Sequence, residues 1–242
     1  MKKLLSIAVV SALSIAAAAC SSTDTTGTGT PAPQDTGPTG NGGGTGDKNP
    51  NGVAYPTANL GHVVGTVIPN LKFVGYRAAN TAGVVDTTKT TTIQLADLFN
   101  PDGKNGTVKL IHLSAASRWC GPCNEETSIM SGYKDGARTG TGVAANLESK
   151  GVVFLQALID GFTPGKGATV LDLQGWVSDH ASNFTQVLDN GPTAFASFFS
   201  GAAVPWNADV DATTMKILKT ELGYDPNLET TISGLVAKIS FH

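Results

Sequence analysis

The chain has 242 residues, of which 14% are charged, and its formal net charge is −3. This composition lacks the basic surface that binding to a phosphate backbone requires, so we expect no nucleic-acid partner. The length suffices for one substantial domain with an additional tail. Aromatic residues and β-branched runs concentrate after residue 58, which predicts one globular domain over residues 59–242.

Residues 1–19 are typical of an export signal, with two lysines followed by an apolar, alanine-rich stretch too short to span a membrane comfortably. The small residues before Cys20 resemble the end of a bacterial lipoprotein signal, although Ala17 stands where leucine is usual. This resemblance implies cleavage before Cys20, lipidation of that residue and attachment to the membrane through the lipid. An ordinary secretory signal with a coincidental cysteine is the alternative.

Residues 20–58 are rich in glycine, threonine and proline and contain almost nothing apolar to bury. We expect a disordered tether with an average span of about 35 Å, which would keep the domain near the membrane but free to turn. Ser21, by resemblance to lipoprotein sorting signals, favours the outer membrane. The expected location is therefore the bacterial cell envelope, facing the periplasm.

The remaining chain alternates between strand and helix patterns. Loosely alternating apolar residues at 61–77 predict short strands, and the apolar run at 108–115 predicts a strand buried on both faces. The alternation predicts an α/β fold with a central mixed sheet flanked by helices on both faces. The other predicted elements are a helical turn within 92–99, helices over 123–133, 144–150, 169–180, 192–199 and 227–239, strands over 152–159 and 184–188, and a hairpin over 204–218.

A Trp119-Cys120-Gly121-Pro122-Cys123 motif lies between a predicted buried strand and a predicted helix. Free N–H groups and the macrodipole at a helix N-terminus favour a thiolate at Cys120, which is the form in which a thiol attacks. Pro122 fits the first helical turn, where its missing N–H costs little. Cys123, one turn further on, would be in reach to resolve a mixed disulfide, so the motif predicts a redox pair that needs no other cofactor.

A zinc site and a purely stabilising disulfide are the alternatives for this pair. Structural zinc needs four ligands, and the four histidines of the chain show no matching spacing. A disulfide that closes so small a loop adds little loop-closure entropy. We therefore favour redox chemistry and expect no metal.

From about residue 61 onward the sequence resembles the thioredoxin superfamily, most closely its exported TlpA-like (redoxin) branch. The resemblance rests on the strand that begins at Val108, the Trp-Cys-Gly-Pro-Cys motif and Glu126, which stands where that branch commonly has a glutamate. It implies a thioredoxin-like fold and a cis-proline that faces the disulfide. Val204-Pro205 is the best match for this proline, and Pro192 is the reserve candidate.

The resemblance also implies roles for individual side chains. The expected catalytic residues are Cys120, Cys123, Pro205 and Glu126, and the expected substrate-binding residues are Trp119 and Val204. Thioredoxin itself keeps a buried aspartate six residues before its first cysteine, whereas this chain has Ser114 there. Proton handling would then fall to Glu126 or to water.

The favoured function is a membrane-anchored thiol-disulfide oxidoreductase that acts on protein thiols and disulfides. The Gly-Pro pair between the cysteines resembles the reducing end of the family, so we expect reduction of protein disulfides, with an electron donor that the sequence does not identify. A peroxidase is disfavoured because that chemistry uses a lone cysteine in a different loop pattern. A copper-binding or copper-delivery lipoprotein and a thioredoxin-fold scaffold with little activity stay open as alternatives.

Overall fold

The computed structural model describes residues 47–189, 193–195, 197–198 and 203–241. Its nine strands are β1 (Lys72–Tyr76), β2 (Thr91–Gln94), β3 (Leu110–Ser117), β4 (Tyr133–Lys134), β5 (Ala137–Arg138), β6 (Val152–Asp160), β7 (Thr185–Leu188), β8 (Trp206–Asp211) and β9 (Lys216–Leu222). Seven of them form one mixed sheet in the order β2-β1-β7-β6-β3-β8-β9, and β4 pairs with β5 in a separate hairpin.

The helices are α1 (Gly121–Ser131), α2 (Gly142–Glu148), α3 (Val170–Asp179) and α4 (Leu228–Val236), with one 3-10 helix at Leu95–Leu98. The helices predicted over 123–133, 144–150, 169–180 and 227–239 are present, with ends that differ from the prediction by a few residues. The β4–β5 hairpin is a short insertion between α1 and α2 that hydrophobic periodicity did not predict.

Strand β3 lies inside the sheet between β6 and β8, and all eight of its residues are buried. It pairs in parallel with β6 and antiparallel with β8, so that Ser114 lies beside Gln156 on one side and Asn207 on the other. Successive side chains of a strand point to opposite faces of its sheet, so these three polar side chains share one face. The sheet thereby places a row of buried polar groups under whatever covers that face.

The two faces of the sheet are covered differently. Helices α1, α2 and α4 share a core cluster with Leu110, Val152 and Phe154, and α3 packs near Leu158 on the same face. The 3-10 helix packs on the other face in a cluster that includes Ile111. The predicted α/β architecture, with a mixed sheet flanked by helices on both faces, is confirmed, and within the described ranges all four α-helices lie on one of those faces.

The predicted boundary between tether and domain at residue 59 is too late. Tyr55 is only 4% exposed and its hydroxyl donates a hydrogen bond to the Ile68 carbonyl at 2.8 Å. Asn49 donates from its side chain to the Phe99 carbonyl at 3.0 Å. Residues 47–58 therefore pack on the domain, because single buried side chains outweigh the polar composition around them.

Some predictions fall on residues that the structure does not describe. The signal sequence, Cys20, the tether up to residue 46 and Pro192 lie outside the described residues. Of the helix predicted over 192–199, residues 193–195 and 197–198 are described, and they form turns. Across the described segments of the chain, the helices are all too short or too polar to cross a membrane.

Edge strand β9 is partly covered by a segment from the start of the domain. The Gly65 N–H donates to the Ile217 carbonyl at 2.8 Å, and the Ile217 N–H donates to the Thr66 carbonyl at 2.9 Å. These bonds occupy the first part of the outer edge of β9, next to Lys216. The outward-facing backbone N–H and C=O groups of residues 218–222 lie beyond the part of β9 that this segment covers.

Candidate active site

The two cysteines of the motif lie at the start of α1 and form a disulfide with a Cα–Cα distance of 5.2 Å. Cys120 has extended backbone and caps the helix, and its Sγ accepts a hydrogen bond from the Cys123 N–H at 3.1 Å. Pro122 occupies the first turn, as the sequence predicts. The Cys120 sulfur therefore lies where helix N–H groups would stabilise a thiolate after reduction.

The two sulfurs differ in their access to solvent. Cys120 is 3% exposed and Cys123 is 0% exposed, and both belong to the core cluster that α3 also joins. An incoming group can therefore reach the Cys120 sulfur first, whereas protein covers the Cys123 sulfur. Cys120 is also the residue that the sequence predicts to attack.

The segment that leads into β8 faces the disulfide. Because β8 runs antiparallel to β3, Trp206 pairs with Ala115 near the end of β3 that leads to the motif. The Val204 carbonyl oxygen lies 3.4 Å from the Cys120 sulfur, and the Val204–Pro205 peptide bond is cis. The structure thus confirms the position and the cis bond that the resemblance predicts for Pro205.

Trp119 borders the motif on its exposed side. It is 41% exposed, and its indole N–H donates to the Asp160 carboxylate at 3.2 Å. The same carboxylate oxygen accepts the Gly165 N–H at 3.0 Å, which ties the loop after β6 to Trp119. Trp119 is therefore held at the rim of the site with much of its ring still available for contact.

Two residues at this rim were missed by the sequence analysis. The ring of Phe162, which is 70% exposed, lies over the Arg118 guanidinium at 4.2 Å from carbon to ring centre. Arg118 also donates to the Asp172 carbonyl at 2.8 Å and forms an ion pair with Asp179 on α3. A lone phenylalanine in a loop gives no periodic signal, so only the three-dimensional structure shows that its ring lies over Arg118, the residue before Trp119.

Glu126 points from the second turn of α1 into the interior and is 1% exposed. Its carboxylate accepts hydrogen bonds from the Ser114 hydroxyl at 3.0 Å and from the Asn207 side-chain amide at 2.7 Å. Burial raises the pKa of this carboxyl, while nearby His112 and the two hydrogen bonds lower it in part. Glu126 is thus a buried, hydrogen-bonded carboxyl one helical turn after Cys123.

A layer of hydrogen-bonded polar side chains continues from Glu126 along the underside of α1. The Thr127 hydroxyl donates to the Cys123 carbonyl at 2.8 Å and accepts from the Gln156 amide at 2.9 Å. The Gln156 amide also lies 3.4 Å from the Ser114 hydroxyl. This polar layer, consisting of Ser114, Glu126, Thr127, Gln156 and Asn207, connects the base of the Cys123 turn to Glu126.

His180 contacts α1, and its imidazole is neutral near pH 7. Burial lowers the pKa of its imidazole to about 4. Its two ring nitrogens lie 3.3 Å from the Ser128 hydroxyl and 3.2 Å from the Asn124 side-chain oxygen. The Asn124 amide in turn donates to the Cys120 carbonyl at 2.7 Å, so His180 helps to fix the first turn of α1.

Comparisons with known proteins bear on the fold. No protein-family model and no curated protein matches the chain. Among solved structures, a putative thiol:disulfide interchange protein DsbE from Chlorobium tepidum superposes with a TM-score of 0.51 at 16% identity, covering 73% of this chain and 97% of that one. The thioredoxin domain of a thiol-disulfide oxidoreductase from Bacteroides vulgatus gives a TM-score of 0.49 at 19% identity, covering 72% and 98%. The first likeness shows that the chain has a thioredoxin-like fold.

Proposed function

We propose that the chain is a thiol-disulfide oxidoreductase that exchanges disulfides with protein substrates through Cys120 and Cys123. The observation that carries the proposal is the placement of the two cysteines. They lie one turn apart at the start of α1, and the Cys120 sulfur accepts a helix N–H while it faces the Val204 carbonyl. This arrangement supplies an accessible nucleophile, a covered resolving thiol and a backbone against which a substrate can align.

In the reduced enzyme the Cys120 thiolate attacks one sulfur of a substrate disulfide, and the other substrate sulfur leaves as a thiolate that takes up a proton. The product is a mixed disulfide between Cys120 and the substrate. Cys123 then loses its proton and attacks the Cys120 sulfur, which releases the second substrate thiol. Two electrons pass from the enzyme dithiol to the substrate, and the enzyme leaves as the Cys120–Cys123 disulfide.

The proposed substrate is an extended protein segment that contains the disulfide. The Val204 carbonyl lies beside the Cys120 sulfur, where an adjoining substrate strand could donate an N–H to it. Trp119 and Phe162 offer exposed rings at the same rim for apolar side chains that flank the substrate cysteine. Backbone pairing with aromatic contacts favours many different protein substrates over one small molecule.

The proposed direction is reduction, because Gly121-Pro122 between the cysteines resembles the reducing end of the family, near thioredoxin with its potential of about −270 mV. An electron donor must then return the Cys120–Cys123 disulfide to the dithiol after each turnover. We further propose that lipidation of Cys20 anchors the chain in the cell envelope, facing the periplasm at the outer membrane, where such a donor would have to be supplied.

The test is reduction of insulin by the purified full-length chain in detergent, with dithiothreitol as the reductant. We expect precipitation of the insulin B chain well ahead of the reaction with dithiothreitol alone. The matched control is a variant with both Cys120 and Cys123 replaced by serine. A wild-type rate equal to that of this control would refute the proposal, and metal analysis of the same sample would show whether bound copper explains the cysteine pair instead.

A further inference from the structure

Arg118, the residue before Trp119, has a side chain that lies almost entirely inside the protein and is 10% exposed. Its guanidinium donates to the Asp172 carbonyl at 2.8 Å and forms an ion pair with Asp179, so both of its terminal nitrogens are bonded to α3. A buried charge needs partners of this kind, because water no longer solvates it. The guanidinium is therefore held in one place against α3.

Helix α3 makes room for the guanidinium at Gly175. A Cβ atom at that position would lie 2.2 Å from Arg118 Nη1, far inside van der Waals contact. Glycine is less favourable than alanine inside a helix, and the close approach of the arginine explains why it stands there. Gly234 in α4, by contrast, has open space where a Cβ would stand. The two helix glycines therefore differ in whether an arginine lies against them.

The same guanidinium supports the ring of Phe162. Its carbon lies 4.2 Å from the ring centre, within the range of a cation–π contact. The ring is nevertheless largely exposed, so most of it stays open to solvent. The turn that carries Phe162 is closed by its own backbone, because the Gly161 N–H donates to the Lys166 carbonyl at 3.1 Å. The ring is thus an exposed apolar surface with a fixed position.

Arg118 also joins this ring to the cysteine turn. Its N–H donates to the Asp160 carbonyl at 3.2 Å, two residues before Phe162. Its carbonyl accepts a hydrogen bond from the Asn124 side chain at 3.2 Å, and the same amide donates to the Cys120 carbonyl at 2.7 Å. Arg118 is therefore bonded both to the strand end that leads to Phe162 and to the first turn of α1.

We infer that Arg118 is a positioning residue of the substrate site, which holds the Phe162 ring beside the cysteine turn so that the enzyme selects disulfides flanked by a bulky apolar side chain. The inference rests on the proposed function and names the class of substrate, namely extended protein segments with an aliphatic or aromatic side chain next to the reacting cysteine. Such a side chain would lose contact with water against the ring, which favours its binding over that of a small polar neighbour. Arg118 acts through Phe162 and takes no part in the exchange of electrons.

The test compares two symmetrical disulfide peptides that differ only beside the cysteine, one with leucine on both sides and one with serine. The reduced full-length chain in detergent is mixed with each peptide, and chromatography of acid-quenched samples gives the second-order rate constant of reduction. The measured quantity is the ratio of the two rate constants, because a general loss of activity cancels in that ratio. We expect the wild type to favour the leucine peptide about tenfold.

Gly175→Ala displaces the guanidinium without altering Arg118 itself. The clashing atom is the end of a flexible side chain, so the helix can keep its path while the arginine moves. We expect the ratio to fall about fivefold, and Arg118→Met, which removes the charge and the donors, to lower it as far. Gly175→Ala carries the test if Arg118→Met does not fold. Gly234→Ala makes the same change where space is open, and it should keep the wild-type ratio.

A double replacement tests whether Arg118 acts through Phe162. Phe162→Ser should lower the ratio about fivefold by itself, and adding Gly175→Ala should then lower it no further. A further fall in the double variant would overturn the inference, because Arg118 would then act on the substrate by another route. So would a wild-type ratio near one, or an unchanged ratio in folded Gly175→Ala and Arg118→Met.

Failure of the proposed function looks different. The wild-type chain would then reduce neither peptide. Failure of the inference alone leaves both peptides reduced, with a ratio that does not depend on Arg118.

Discussion

The Glu126 carboxylate on α1 accepts a hydrogen bond from the Ser114 hydroxyl on β3 at 3.0 Å. Ser114 occupies the position at which the resemblance to thioredoxin would place a buried aspartate. A carboxylate therefore does reach this part of the core, but from the helix that carries the cysteines and not from the strand. Glu126 lies three residues after Cys123 on that helix, so acid and thiol share one face of α1.

Replacing the two cysteines singly should give unequal results. Cys123→Ser keeps an accessible Cys120 that attacks insulin but cannot be released, so mixed disulfides should accumulate on non-reducing gels, whereas Cys120→Ser should trap far less. In the reduced wild type, iodoacetamide at mildly acidic pH should modify Cys120 first. Equal alkylation of both thiols, with no trapping by either variant, would leave only the binding-scaffold or copper alternatives.

Glu126→Gln should alter both rate and stability. On the sequence-based expectation that Glu126 accepts the Cys123 proton, its loss should slow the resolving step by about a hundredfold while the attack of Cys120 is kept. The pKa of folded Glu126 is raised, so its stabilising contribution is present at acidic pH and is lost as the pH rises through the folded pKa, by at most about 1.4 kcal/mol per pH unit. Urea unfolding of the oxidised protein at pH 5 and pH 8 should show that the free energy of unfolding falls less in Glu126→Gln than in the wild type. An identical fall in both proteins would contradict this.

His180 should act on stability in the opposite direction. Its folded pKa is about 4, below the ordinary histidine pKa of 6.5, so the unfolded chain takes up the proton first as the solution is acidified. The free energy of unfolding should therefore fall between about pH 6.5 and pH 4, with a slope of up to about 1.4 kcal/mol per unit. His180→Asn should remove that part of the slope, and the exposed His62 offers a matched His62→Asn control that should leave it in place.

Phe162→Ser should discriminate between large and small substrates. The ring is exposed at the rim, so its loss should lower kcat/KM for insulin about fivefold, as expected for an interface contact of about 1 kcal/mol. Reduction of oxidised glutathione, which is too small to reach the rim, should hardly change. Val74→Ser, an exposed apolar replacement on β1, is the control; an equal effect of both variants on insulin would rule out a specific role for Phe162.

Cys20→Ala should release the chain from the membrane and leave the domain folded, because the lipid on Cys20 is the proposed anchor. Detergent phase partitioning measures the release, and insulin reduction by the aqueous fraction measures folding. Ser21→Ala should stay in the detergent phase. Recovery of Cys20→Ala wholly in the detergent phase would sink the anchor proposal.

The sequence predicted those parts of the site that depend on neighbours along the chain. The start of α1 at the cysteine pair follows from an apolar strand, a Gly-Pro turn and a helix pattern, all local signals. The contact of Glu126 with Asn207 depends on the pairing of β3 with β8, and so does the contact of His112 with Asp209, 97 positions away. No local pattern encodes such a register, so the buried polar groups were visible only once the sheet was known.

The sequence did not predict that the domain starts before residue 59, and the reason is different. Tyr55 is a single aromatic residue in a segment that is otherwise polar and rich in glycine and proline. Its contribution comes from one buried ring and one hydrogen bond to Ile68. The average composition of the segment hides such a residue, whereas the packing of the segment on the domain depends on it.

The cover that Gly65 and Thr66 place on β9 has a consequence for molecules held side by side. An open edge strand is a template on which the strand of a second copy can add, and this becomes more frequent when chains are confined to a surface. Bonds to Ile217 close the first part of that edge, and the charged side chains of Lys219 and Glu221 lie on the remainder. In a chain anchored as proposed above, the β9 edge would thus be protected from pairing with the sheet of a neighbouring molecule.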